Sequence, residues 1–289
     1  MKQYIKKSSG LTEAQFAAIE QLEAVCNRAD GLTMKLNPEK LRERSTGEIN
    51  DFLYYVDEQP VAYLALFSFN KKEVEVSAMT HPDYRRQGIF KQLLAAARDE
   101  VNRRHIPDFL FICEQRSAAG AQTVQAVGAR YDFSEYKMIL EEAAQPPSTS
   151  TALDLRPALA GEVAELARMD VVCFGTDFEE AKKWIAKSFA SENRRMWVAT
   201  LPGITIGKIL VSLTGHETFI NAFCVLPEYR GRGYGKTILS RLVAQLVGDQ
   251  HPLISLEVAT DNEGALSLYK NAGFEISTVY DYYRLPPGS

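Results

Sequence analysis

The chain has 289 residues, of which 46% are hydrophobic and 24% charged, and carries a formal net charge of −4. That length is the prior for two domains rather than one. The composition excludes a disordered, collagen-like or disulfide-stapled protein, and the acidic balance has no basic footprint of the kind that holds a nucleic-acid backbone.

Met1 to Gly10 is polar and lacks the apolar core of a signal peptide, and no apolar run of about 18 residues follows it. The expectation is a soluble, cytoplasmic protein with no membrane partner. Phe16, Ile19 and Val25 recur at helical spacing and predict a surface helix with one buried face. Two strands are expected at Phe52 to Val56 and Val61 to Phe69, rich in aromatic and β-branched residues. A turn around Arg85, Arg86 and Gly88 then leads into a helix whose apolar side holds Leu93, Leu94 and Ala97. Glu141 to Ala152, with its run of Gln, Pro, Ser and Thr, cannot pack a core and reads as a linker. The expected division is therefore a domain over 1–142, a linker over 143–152 and a second domain over 153–289.

The second half repeats the order. A helix carries Val163, Leu166 and Ala167, and strands are expected at Met196 to Thr200, Ile204 to Leu213 and Phe219 to Val225. After the run Arg230, Gly231, Arg232, Gly233, Tyr234, Gly235 comes a helix with Ile238, Leu239, Leu242, Val243 and Leu246 on one side. A strand from Leu253 to Val258, a helix begun by Asp261 or Asn262 and a strand from Phe274 to Tyr283 close the chain. Mixed strands and helices imply an α/β sheet in each half. The halves are copies: Pro82, Tyr84, Arg85 and Gly88 recur as Pro227, Tyr229, Arg230 and Gly233, and Gly128 as Gly273, all at a shift of 145.

Cys26, Cys113, Cys173 and Cys224 stand in no metal-ligand spacing, so they read as packed thiols and no metal is expected. The glycine-rich run is the chemically informative segment. Between a strand and a helix it offers free backbone amides and the positive end of the helix dipole, a natural seat for a pyrophosphate. It is not the Gly-x-Gly-x-x-Gly dinucleotide fingerprint. Gly235-Lys236-Thr237 copies the end of a triphosphatase loop, but the glycine that loop requires five residues earlier is Arg230.

Arg230, Gly233 and Gly235 match the coenzyme A signature of the GNAT N-acetyltransferase superfamily, and Asn262, Ala265, Leu268, Tyr269, Gly273 and Phe274 match its second signature. The chain thus resembles a tandem GNAT protein, an architecture to which mycothiol synthases look similar. The resemblance implies two tandem acyl-CoA N-acyltransferase domains, each a mixed, mostly antiparallel twisted sheet flanked by helices. It implies acetyl-CoA as co-substrate, with its pyrophosphate on Arg230, Gly231, Arg232, Gly233, Tyr234, Gly235 and Lys236 and its pantetheine arm along Cys224 and Val225. Tyr269 is implied as the general acid that protonates the leaving thiolate. Asn262, grouped with the cofactor residues, is the expected helix cap.

Glu217, Phe219 and Asn221 share strand parity, so Glu217 and Asn221 are candidates for aiding amine deprotonation. The implied reaction is direct transfer of an acetyl group to a primary amine of a small molecule or peptide, by a monomer or weak dimer. The competing expectation is an acyl-CoA-binding or regulatory protein that does not turn over. In the first copy Gly235 corresponds to Phe90, Asn262 to Ser117, Tyr269 to Val124 and Phe274 to Ala129. That copy lacks the acid and is expected to serve as a scaffold, although residual cofactor binding stays possible, since Phe90 need not abolish it if its side chain points into the core.

Overall fold

A computed structural model describes residues 2–42, 44, 47–69, 72–142 and 152–286. The expected linker falls almost wholly outside these residues. The chain forms two compact units, Met1–Glu135 with Thr278–Ser289, and Tyr136–Ser277.

The first unit holds β1 (Gln3–Ser8), α1 (Glu13–Asp30), α2 (Pro38–Arg42), β2 (Asp51–Val56), β3 (Gln59–Phe67), β4 (Glu73–Thr80), α3 (Ile89–Arg103), β5 (Asp108–Glu114), α4 (Ala118–Gln125) and the start of β6 (Arg130–Leu140). Its ladders are antiparallel except for the parallel pair β4–β5. Thr12 starts α1 with a capping box completed by Gln15, and Gly31 ends it in a left-handed conformation. One sheet face packs on α3 through Leu93, Leu94, Ala97 and Val101. The other packs on α1 through Phe16, Ile19, Leu22 and Cys26. Val25, expected on the buried face, is 37% exposed. The stripe 16-19-22-26 keeps the helical period, and position 25 falls a hundred degrees short of it.

The second unit holds β7 (Asp154–Pro157), α5 (Val163–Phe174), α6 (Phe178–Phe189), β8 (Arg194–Leu201), β9 (Ile204–Thr214), β10 (Glu217–Val225), α7 (Tyr234–Gly248), β11 (Ile254–Ala259), α8 (Glu263–Lys270) and the start of β12 (Phe274–Leu285). Here β10–β11 is the parallel pair. The apolar side of α7 packs on one face, and α5 and α6 cover the other. β1 and β7 were not expected from the sequence. Each is the outermost strand of its unit's sheet, and short or lysine-bearing edge strands lack an alternating apolar signal.

The compact units cut across a division by sequence position. Residues 278–285 of β12 complete the first unit by pairing with β5, Tyr280 against Glu114 through Leu285 against Phe109, while residues 136–140 of β6 count with the second. β6 and β12 are equivalent strands of the repeat, so either has the pattern to complete either sheet.

Beneath α5 and α6 lies a buried ion pair, Lys208 Nζ to Asp170 Oδ1 at 2.6 Å, with side chains 0% and 7% exposed. The Lys208 ammonium also lies 5.9 Å from the Trp184 ring centroid. Removing one member leaves an uncompensated buried charge, which costs more than the pair itself contributes. Asp170→Ala is expected to destabilise the second unit by about 3–5 kcal/mol in urea unfolding, and Asp170→Leu combined with Lys208→Met to recover most of that loss.

Candidate functional site

In the second unit the parallel ladder joins Thr218–Ile220 to Ile254–Leu256 and ends there. β10 nevertheless runs on to Val225 and β11 to Ala259, so the two strands splay into a wedge. On its other side β10 carries a bulge. Asn221 pairs with Leu210 and Cys224 with Lys208, so Ala222 and Phe223 together face one residue of β9. Ala222 takes a left-handed φ of 47° there. The bulge leaves one residue of β10 unmatched on β9, which bends the strand just past its last pair with β11. Beyond it, Gly207 lets β9 approach closely, since a Cβ would come 2.8 Å from the Cys224 carbonyl oxygen.

The glycine-rich turn stands at the open end of this wedge. Gly231 and Gly233 have φ of 72° and 82°, values that side chains adopt only with strain. Nothing lies within 4 Å of where a Cβ would project from either. Gly233 is the N-cap of α7 and has no side chain to occupy the first amides, which leaves a cradle that fits an anion. Arg230 does more than add charge: its Nε donates to the Val225 carbonyl at 2.8 Å, fixing the turn to the strand end. Arg232 lies over the Tyr229 ring at 5.8 Å, and Tyr234 and Lys236 occupy the first turn of α7. The Cys173 thiol reaches the same Val225 carbonyl from α5 at 3.8 Å, a contact the sequence did not suggest.

Asn262 caps α8, its Oδ1 accepting from the Ala265 amide at 3.1 Å, which sets the helix that carries Tyr269. The Tyr269 ring packs edge-on to Phe274 at 6.3 Å and against the second unit's core. Desolvation pushes its phenol up to about 12, and among the described residues its hydroxyl has no hydrogen-bond partner.

Asn221 Nδ2 donates to Ser212 Oγ at 3.1 Å. Glu217 is paired with Lys137 at 2.7 Å, and its carboxylate accepts from Ser255 Oγ at 2.5 Å. Glu217 lies at the closed end of the wedge and Asn221 just past the last ladder pair. The parity argument therefore placed both on one side, but did not foresee that Lys137 and Ser255 engage the carboxylate.

A phenol raised above its unfolded value near 10 binds its proton more tightly in the folded state. Stability is therefore lost as pH climbs from about 10 to about 12, by about 2–3 kcal/mol from this group. The pH dependence of urea unfolding in that window should be shallower in Tyr269→Phe than in wild type by this amount.

The first unit keeps the same frame but differs at several of these positions. Its β4–β5 ladder also stops short, at Val76–Phe111, and Arg86 and Gly88 hold left-handed φ of 61° and 77°. Arg85 Nε donates to the Thr80 carbonyl at 3.0 Å, as Arg230 does to Val225, and the Cys26 thiol reaches that carbonyl at 3.5 Å. But the Arg85 guanidinium is held by Asp30 through two bonds of 2.8 Å, and β4 runs against β3 without a bulge. Phe90, half-buried, packs edge-on to Phe111 at 6.2 Å against the core. Ser117 caps α4 through the Gly120 amide in place of Asn262, and Val124 is buried where Tyr269 would stand.

The model of the acetyltransferase (GNAT) family matches residues 17–122 and again 163–274. An acetyltransferase of Sodalis glossinidius is 34% identical over 79 residues, a match that covers 27% of this chain and 56% of that protein. The chain thus spans about half the length of this curated relative. Among solved structures, a GCN5-related N-acetyltransferase from Sphaerobacter thermophilus superimposes with a TM-score of 0.81 at 20% identity, over 99% of this chain and 96% of that one. A tandem GNAT protein from the clavulanic acid biosynthesis pathway gives 0.78 at 16% identity, over 100% and 99%. At these identities the two structures speak to the fold.

Proposed function

Because the chain belongs to the acetyltransferase (GNAT) family, its two matched segments together covering most of its length, we propose that its second unit moves an acetyl group from acetyl-CoA to a primary amine. The observation that carries this reading is the anion cradle at Gly231 and Gly233, at the mouth of a wedge beside helix α8, whose Tyr269 hydroxyl has no hydrogen-bond partner among the described residues. Acetyl-CoA, when bound, supplies an activated acyl carbonyl and a thiol leaving group.

The chain's own residues do the rest. The amides of Gly231 to Gly235, the start of α7 with Lys236, and the Arg230 and Arg232 side chains hold the pyrophosphate. Main chain at Cys224 and Val225, brought out of register by the bulge, pairs with the pantetheine arm. Tyr269 holds a proton at Oη for the departing sulfur. Asn221 and Glu217, the latter paired with Lys137 and hydrogen-bonded by Ser255, aid loss of the amine's proton, so that the neutral amine attacks the acyl carbonyl and the thiolate leaves. The acceptor is a small molecule or a peptide, and we take the protein to work in the cytoplasm as a monomer or weak dimer. No described helix is long and apolar enough to cross a membrane.

The test follows thiol release from acetyl-CoA with a panel of amines, beside calorimetric binding of acetyl-CoA. Amine-dependent release establishes transfer. Binding without release for any amine favours the second reading, a ligand-binding module, which the unpartnered Tyr269 hydroxyl argues against. No binding at all overturns both.

A further inference from the structure

In the first unit a cluster of polar and aromatic side chains surrounds a lysine of the chain itself. After α1 the segment that follows Gly31 runs across the splayed strands and bonds to both walls of the wedge. The Thr33 amide donates to Glu114 Oε2 at the end of β5 at 2.5 Å, and Ser77 Oγ on β4 donates to the Lys35 carbonyl at 2.6 Å. Tyr280 on β12 adds a bond from its hydroxyl to the Thr33 carbonyl at 3.0 Å.

The Lys35 side chain, 13% exposed, then enters a cage. Its ammonium donates to the Tyr282 hydroxyl at 2.8 Å, stands 3.3 Å from Glu135 Oε2, and lies 5.6 and 5.5 Å from the ring centroids of Tyr280 and Tyr282. The Tyr282 hydroxyl in turn donates to the same Glu135 oxygen.

The main-chain bonds already fix the segment, so the cage is recognition beyond what the loop needs. Ordering a lysine side chain costs rotamer freedom, and its ammonium must shed water. Two π faces, a carboxylate and a phenol oxygen are the groups that offset this for an alkylammonium. In the second unit the segment between α5 and α6 is only Gly175–Asp177, and at the repeat positions of Leu110, Ile112 and Tyr282 stand Ser255, Glu257 and Lys137. The first unit has an aromatic and aliphatic floor under its own strap; the second has a polar one.

We infer that Tyr280, Tyr282 and Glu135 form an ammonium-binding site on the acceptor side of the first unit, with Lys35 as its built-in occupant. A primary alkylammonium is the ligand class the site takes, and Lys35 keeps external amines out of it. The cage rests on its own geometry; only the label of acceptor side rests on the transfer reading.

Lys35→Ala of the full chain removes the fragment that n-propylammonium replaces. Its Tm is expected to fall by several degrees. n-Propylammonium chloride at tens of millimolar should restore at least half of that loss, while n-propanol and sodium chloride at equal concentration should not. The wild type should show no such shift, and Lys35→Ala combined with Glu135→Gln should lose the rescue. A folded Lys35→Ala that propylammonium stabilises no better than sodium chloride overturns the proposal. If Lys35→Ala does not fold, Lys35→Met keeps the stem without the charge. Ammonium chloride is then expected to raise the Tm of that variant more than sodium chloride at equal concentration, and equal shifts overturn the proposal. These readouts involve no acetyl transfer, so they hold or fail independently of it.

Discussion

Tyr269→Phe is expected to lower the rate of acetyl transfer by about 10²- to 10³-fold while leaving unfolding free energy within about 0.5 kcal/mol of wild type. The two halves of this expectation come from one observation, a hydroxyl that makes no hydrogen bond among the described residues. Deleting it orphans no partner, so the usual cost of removing a buried polar group does not arise. The size of the kinetic effect follows from the phenol's position near 12. An ordinary thiol titrates near 8.5, so full transfer from Tyr269 is uphill by about 5 kcal/mol in isolation. The proton must therefore lag the breaking bond, and Tyr269 acts chiefly as a hydrogen-bond donor to developing charge. That places its contribution in the lower part of the range for general acids. Acetyl-CoA affinity, measured by titration, should change little. A variant that transfers at the wild-type rate would remove Tyr269 from the reaction, and one that loses several kcal/mol of stability would make it a packing residue.

Much of this was legible before the structure because repeats and glycines are strong signals. The shift of 145 identified the two copies, and the need for positive φ at Gly231 and Gly233 is a backbone demand that residue type reports directly. The cap of α8 was equally readable, Asn262 doing what its residue type does at a helix start. What the sequence concealed depends on which strand lies beside which. Lys137 could not be assigned to Glu217, because β6 is counted by position in the first half and by packing with the second. The bulge at Ala222 has no glycine to announce it. The Lys35 cage joins residues separated by about a hundred and by more than two hundred positions, beyond the reach of any local pattern. Asp30 on Arg85 is likewise a contact between helix end and turn, and it neutralises a cation that the repeat alone presents as equivalent to Arg230.

Gly233→Glu is expected to weaken acetyl-CoA binding by at least about 10²-fold, and Gly88→Glu to leave it unchanged. Space is not the reason, since a Cβ at either glycine meets nothing within 4 Å. The left-handed backbone costs a side chain about 1–2 kcal/mol, and a carboxylate at the start of a helix regains about 0.3–1 kcal/mol from the dipole, so both variants should fold. The effect is electrostatic. A carboxylate held about 4 Å from a phosphate opposes it by about 4 kcal/mol at a surface dielectric near 20, and it takes the amides the phosphate would use. In the first unit there is less to lose: Arg85 is bound by Asp30, Arg86 stands in place of Gly231, and Phe90 in place of Gly235. Titration of acetyl-CoA should therefore give one site per chain in wild type and Gly88→Glu. Two sites in wild type, falling to one in each variant, would mean that the first unit still binds the cofactor beneath its occupied acceptor side. Loss in Gly88→Glu alone would move the working site to the unit that lacks Tyr269 and refute the assignment of chemistry to the second.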